Sequence, residues 1–241
     1  MMTMRHQYGH HHARGRMNKS LVRLLQLASP MLPVGAYSYS QGLEWGIESG
    51  EVHDLASAQA WIGDVLQIYQ GSYELPLLSR CYRAWQRGDA AALNEWNAFY
   101  LAGRDNAEAL AESRQMGYSL KRLLLEFDDL PGTWKTLMEQ LPNAAFPALY
   151  AGISQAWGID EQDALQAYAW SWLENQASAA MKAVPLGQVA GQKILLDVAD
   201  RIPALVEEAM RMPDFMISNF CPALTIAGCR HETQYSRLFR S

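Results

Sequence analysis

Apolar residues recur at three- and four-residue spacing along nearly the whole chain. Leu21, Leu24, Leu25 and Ala28 share one helical face, with Ser20 placed to cap it. Residues 39–48 read as a short helix ending near Gly50. Asp54 or Ser57 caps a helix bearing Trp61, Val65, Leu66 and Tyr69. Ser72 precedes another, in which Pro76 falls in the first turn. Asp89 caps a segment with Leu93, Trp96 and Tyr100 on one side. Residues 106–127 give a longer helix through Leu110, Met116, Leu120, Leu123, Leu124 and Phe127. Further helices fit 133–140, 146–157, 160–183, 186–199 and 202–211. Alternation of period two is almost absent. The pattern predicts an all-α fold with a single multi-helix domain over residues 18–212. A disordered basic arm precedes it at 1–17, and a C-terminal tail follows at 213–241.

Composition narrows the function. At 241 residues, 49% hydrophobic and 19% charged, the chain suits a folded protein with a sizeable core. Residues 1–20 hold Arg5, Arg14, Arg16 and Lys19 and no acid. The remainder has 16 bases against 25 acids, a net charge of −9. An acidic body argues against nucleic acid as a partner, because phosphate binding needs a basic face. Cys81, Cys221 and Cys229 form no disulfide framework, which fits a reducing compartment. No apolar run is long enough to span a membrane. A cytoplasmic protein is expected.

The chain carries few signatures of chemistry. Phosphate loops, zinc-protease signatures and nucleophile elbows are absent. Glu44 and Glu48 form an i,i+4 carboxylate pair that reads as two solvated helix charges rather than a catalytic pair. His53-Asp54 reads as a helix start with Asp as cap. Cys221, Cys229 and His231 are weak candidates for a soft metal site, since their spacing matches no tight zinc pattern. His6, His10, His11 and His12 lie in the arm, which offers no preorganised coordination. No cofactor and no catalytic residue is expected.

Three segments stand out instead. Residues 29–44, SPMLPVGAYSYSQGLE, are too apolar and aromatic for an ordinary solvated loop. Pro30 and Pro33 fix φ, while Gly35 and Gly42 open conformations closed to other residues. Residues 181–192 interrupt a helical pattern at Pro185, which makes a corner and presents Lys182 and Gln188. Residues 231–241, HETQYSRLFRS, alternate Arg with Tyr, Leu and Phe, the residue types that anchor interfaces. A helical turn there would gather Tyr235, Leu238 and Phe239 on one side.

Together these segments resemble the UreF family of urease accessory proteins, over roughly residues 20–241. The resemblance implies an all-α, dimeric, non-enzymatic scaffold. Such a scaffold bridges a second accessory protein, UreD (UreH in some organisms), and the GTPase UreG. The assembly acts on apo-urease for GTP-dependent nickel insertion. It implies that Tyr37, Tyr39 and Glu44, with Lys182, Pro185, Gly187 and Gln188, organise UreG. It implies that His231, Glu232, Tyr235, Arg237, Leu238, Phe239 and Arg240 engage UreD; the few apolar anchors of that tail predict that it is mobile when free and ordered when bound. Lys182 departs from the Arg often found there, keeping the charge but losing the planar fork. Two other functions compete: a direct regulator of the UreG GTPase, and a nickel-binding carrier.

Overall fold

Helix follows helix because the apolar positions keep a period near 3.6 and polar caps separate the runs. The computed structural model describes residues 19–241, and the expected basic arm at 1–17 lies outside the described residues. The helices are α1 (Lys19–Ala28), α2 (Leu43–Glu48), α3 (Leu55–Asp64), α4 (Leu75–Arg87), α5 (Ala90–Ala102) and α6 (Ala107–Leu125). They continue as α7 (Gly132–Glu139), α8 (Phe146–Ala156), α9 (Glu161–Ala183), α10 (Gln188–Ala199), α11 (Ile202–Arg211) and α12 (Pro222–His231). No strand occurs among the described residues.

The caps do the expected local work. Asp54 accepts from the Ser57 amide at 2.8 Å, and the Ser57 hydroxyl accepts from the Asp54 amide at 3.0 Å, closing a reciprocal box. Asp89 and Asn106 accept from the amides of Ala92 and Ala109. One expected boundary is corrected. The chain does not restart at Ser72; residues 55–87 run on as one helical rod through a π segment, Val65–Glu74. The widened turns carry the chain past Ser72. Pro76 then falls in the first turn of the new α register, where its missing N–H costs little.

The long helix α9 passes through the middle and is packed by α1, α2, α3, α4, α8, α10 and α11. Its alanines let neighbours approach, and Leu165, Trp172 and Leu173 are buried among them. At its end Val184 is extended, Pro185 is exposed, and α10 turns back with Gly191 tight against Met181. The break therefore is a corner between two packed helices, as the proline predicts.

One polar cluster sits inside this core. Glu74 accepts from Arg104 at 2.8 Å, from the Tyr168 hydroxyl at 2.7 Å and from the Tyr100 hydroxyl at 3.2 Å. Arg104 also donates to the Tyr69 hydroxyl at 2.8 Å. Every charge in it is paired, which such burial requires.

Candidate partner-binding site

The 29–44 segment is a shaped loop rather than a slack one. Gly35 and Gly42 both take φ of 81°, and Gln41 takes 53°. Gly42 has a second constraint: a Cβ there would meet Ala227 and the Gly228 amide of α12. These turns delay the start of α2 to Leu43 and bring Ser40 and Glu44 face to face with the end of the chain. Burial pushes the Tyr37 hydroxyl up to about 12, assisted by the charge of nearby Glu174.

Glu44 is the centre of the arrangement. One carboxylate oxygen accepts from the Leu238 amide at 2.6 Å. The other accepts from the Phe239 amide at 3.0 Å and faces His231 Nε2 at 3.0 Å. His231, fully buried, places Nδ1 2.6 Å from Glu108 on α6. A ring with two N–H groups satisfies both carboxylates, whereas a neutral ring donates to one. Glu108 is shared with Arg237 at 2.5 Å. The Ser241 carbonyl accepts from the amides of Ser40 and Gln41, at 2.6 and 3.0 Å, and from the Ser40 hydroxyl at 2.6 Å. The Arg240 amide donates to the Ser38 carbonyl at 2.8 Å. Glu232 accepts from the Ala107 amide at 2.7 Å, at the start of α6.

The third segment joins through an aromatic contact. Lys182 Nζ lies 5.8 Å from the centre of the Phe239 ring. The loop, the α9–α10 corner and the chain end, distant in sequence, thus meet at one place.

The expected site residues divide into two sets. Tyr39, Glu44, His231 and Phe239 are buried at or beside the knot, and Tyr37 is half-buried near Glu174. Lys182, Pro185, Gly187, Gln188, Glu232, Tyr235, Arg237, Leu238 and Arg240 are exposed around it. Two expectations are corrected. Residues 232–241 form no helix, so Tyr235, Leu238 and Phe239 do not share a face: Phe239 points inward at 7% exposure and Leu238 outward at 73%. The segment from 213 is also packed on the body rather than trailing from it. Arg80 pairs with Asp214 at 2.9 Å and α12 lies against α2. The buried carboxylates and carbonyls of the body supply partners that the sequence cannot display.

The weak metal candidates do not assemble. Cys221 is buried, Cys229 is exposed, and both His231 nitrogens already face carboxylates. Among the described residues no group of three or more His, Cys, Asp or Glu is placed to hold a metal. Glu48 is exposed, apart from buried Glu44.

Sequence reasoning missed Glu108 and Glu112. Glu112 is buried and accepts from Gln41 at 2.6 Å and from the Ser241 hydroxyl at 3.1 Å. Gln41 in turn accepts from Trp172 at 2.6 Å. The i,i+4 spacing of Glu108 and Glu112 was the available signal; it reads like any solvated helix pair until the chain end is seen to lie against it.

The UreF family model matches residues 52–199. A urease accessory protein UreF of Methylobacillus flagellatus is 87% identical over 224 residues, covering 93% of this chain and 99% of that protein. One from an Azoarcus species is 54% identical over 92% of this chain and 95% of its own length. One from Dechloromonas aromatica is 51% identical over 92% and 97%. Matches of this identity cover more than nine tenths of the chain, and the chain belongs to the UreF family of urease accessory proteins.

Proposed function

We propose that the chain is a non-catalytic scaffold, active as a homodimer, that holds a UreD-type accessory protein and the GTPase UreG against apo-urease during nickel insertion. The observation carrying this reading is the convergence of three segments on one knot whose outer surface presents exposed apolar and basic side chains. Tyr235 is fully exposed, Leu238 is 73% exposed, and Arg237 and Arg240 flank them. Aromatic and Arg side chains at a rigid surface are the usual anchors of an interface. Phe215, Met216, Phe220 and Ile226, all more than half exposed, are further exposed apolar side chains of the C-terminal segment. The buried set fixes the backbone, and the exposed set does the touching.

In this reading Tyr235, Leu238 and the arginines meet UreD, and the Lys182–Gln188 corner meets UreG. The double variant Tyr235→Ala, Leu238→Ala keeps every bond of the knot. It should reduce UreD capture at least about tenfold, since two anchors at roughly 1 kcal/mol or more each are lost, and urease activation should fall with it. Undiminished capture by the folded variant would overturn the assignment. Pro185→Ala should reduce UreG recruitment and spare UreD.

A further inference from the structure

The neighbours of His231 dictate the charge on its ring. It is the last residue of α12, fully buried between Glu44 of α2 and Glu108 in the first turn of α6. Nε2 is 3.0 Å from a Glu44 oxygen and Nδ1 is 2.6 Å from a Glu108 oxygen. Both acids are held in the ionised form by other donors. Glu44 accepts from the Leu238 and Phe239 amides, and Glu108 pairs with Arg237 through its second oxygen. Glu108 also sits at the N-terminus of α6 and His231 at the C-terminus of α12, the ends that favour an anion and a cation respectively. With the ring charged, Glu44, Glu108, His231 and Arg237 sum to zero. With the ring neutral, the same closed site carries an uncompensated negative charge and sets a nitrogen lone pair against a carboxylate.

The other charges around the site are engaged elsewhere. Asp105, ahead of α6, is bonded to Asn219 and Thr225. Glu112, one turn along α6, is bonded to Gln41 and Ser241. Glu232 accepts from the Ala107 amide, and Lys182 of α9 lies over the Phe239 ring. Glu48 on α2, and Cys229 and Arg230 on α12, are exposed. Imidazole is the side chain that changes charge nearest neutral pH, so the proton that this site gives up first belongs to His231. Its loss leaves Glu44 or Glu108 without a donor, and those two acids fasten residues 237–239. We propose that His231 is a pH-sensitive latch: with both nitrogens protonated it fastens the chain end to α2 and α6, and loss of one proton releases that end. Fastening that requires a bound proton weakens as pH rises. The released segment carries Tyr235, Leu238 and the arginines, so the bearing of the latch on partner capture rests on the UreD reading above.

Nitrogen NMR of the full chain reads the ring directly. At about pH 6 both His231 nitrogens should be protonated; a neutral ring there, with the chain end still ordered, would overturn the latch. Hydrogen exchange reads the consequence. Between roughly pH 6 and 9 the Leu238 and Phe239 amides should lose at least about tenfold in protection, beyond the intrinsic acceleration of exchange, because a charge-assisted bond is lost. Protection in α9 should not change. The loss must track the ring titration, and a profile that stays flat through it would overturn the proposal whether or not any variant folds. His231→Gln carries no titrating proton. It should show weaker protection at residues 238 and 239 at the acid end and no further loss with pH; a wild-type profile in this variant would assign the effect to another group and overturn the latch. UreD capture, measured over the same range, should fall in the same step. Capture that stays constant while the chain end is released would overturn the UreD assignment and leave the latch standing.

Discussion

Two buried polar clusters in this molecule use the same chemistry for different ends. In the core, Glu74 and Arg104 have side chains 4% and 5% exposed, and their partners Tyr69, Tyr100 and Tyr168 sit on helical segments. At the knot, Glu44 and His231 are as deeply buried, at 7% and 0%. There, however, the carboxylate spends its bonds on backbone amides of residues 238 and 239, which have no helix of their own. The first cluster joins helical segments through Arg104, which lies in the short link between α5 and α6. The second fastens ten residues whose order depends on it. A buried ion pair adds little net stability over a packed apolar core, yet breaking one is costly. What each cluster controls is therefore set by what it holds: the whole fold in one case, the course of the chain end in the other.

The largest effect should come from the core. Glu74→Ala strands the Arg104 guanidinium and removes the acceptor of two phenols. Loss of one partner of a buried pair costs about 3–5 kcal/mol, and this loss should be global. Urea unfolding should shift as one cooperative transition. A cost within 1 kcal/mol would show that water replaces Glu74 without strain.

Glu44→Ala should cost less and act locally. Two amides and His231 lose their acceptor, at about 1–3 kcal/mol, but α4, α8 and α9 keep their packing. Hydrogen exchange should speed up at residues 238–241 and in α12 while protection in α9 is unchanged. UreD capture should fall with it, since the exposed anchors lose their support. If α9 exchanges faster to the same degree, the two clusters are one cooperative unit and the contrast fails.

The contrast also explains what the sequence made legible. Helices announced themselves through local rules: period 3.6 for α6 and α9, Asp54 and Asp89 as caps, Pro185 as a corner. These signals act over four residues or fewer, so one sequence contains them. The π segment was not legible, because nothing at Ser72 distinguishes a widened turn from a break. The motif residues of the knot were visible as oddities: an aromatic loop with two glycines, and a chain end rich in Arg and aromatics. Their division into buried Phe239 and exposed Leu238 was not. That division depends on Glu44, nearly two hundred residues away, and on Glu108 and Glu112, which look like ordinary helix charges. The chemistry of the site was written in residue types, and its geometry only in the fold.

The smallest effect, and the one that probes whether the clusters communicate, belongs to Glu112. It is bonded to Gln41 and Ser241 on the knot side and lies in the field of Arg104 and Glu74 on the core side. Burial raises its carboxyl above the ordinary value, with Glu74 adding to the shift, while Arg104 and the bonds from Gln41 and Ser241 oppose it. A raised acid in the folded state holds its proton where the unfolded chain has released it. Folding stability from this group therefore declines as pH rises from the unfolded carboxylate value through the raised folded one, and below both it contributes nothing. Glu112→Gln removes the titration and keeps the geometry: its carbonyl accepts from Gln41, and its amide can donate to the Ser241 hydroxyl. Urea midpoints measured from roughly pH 4 to 7 should show the variant gaining on the wild type with increasing pH, the two converging at the acidic end. Parallel curves would mean that Arg104 fully offsets the burial, and that the core cluster reaches into the knot more strongly than its geometry implies.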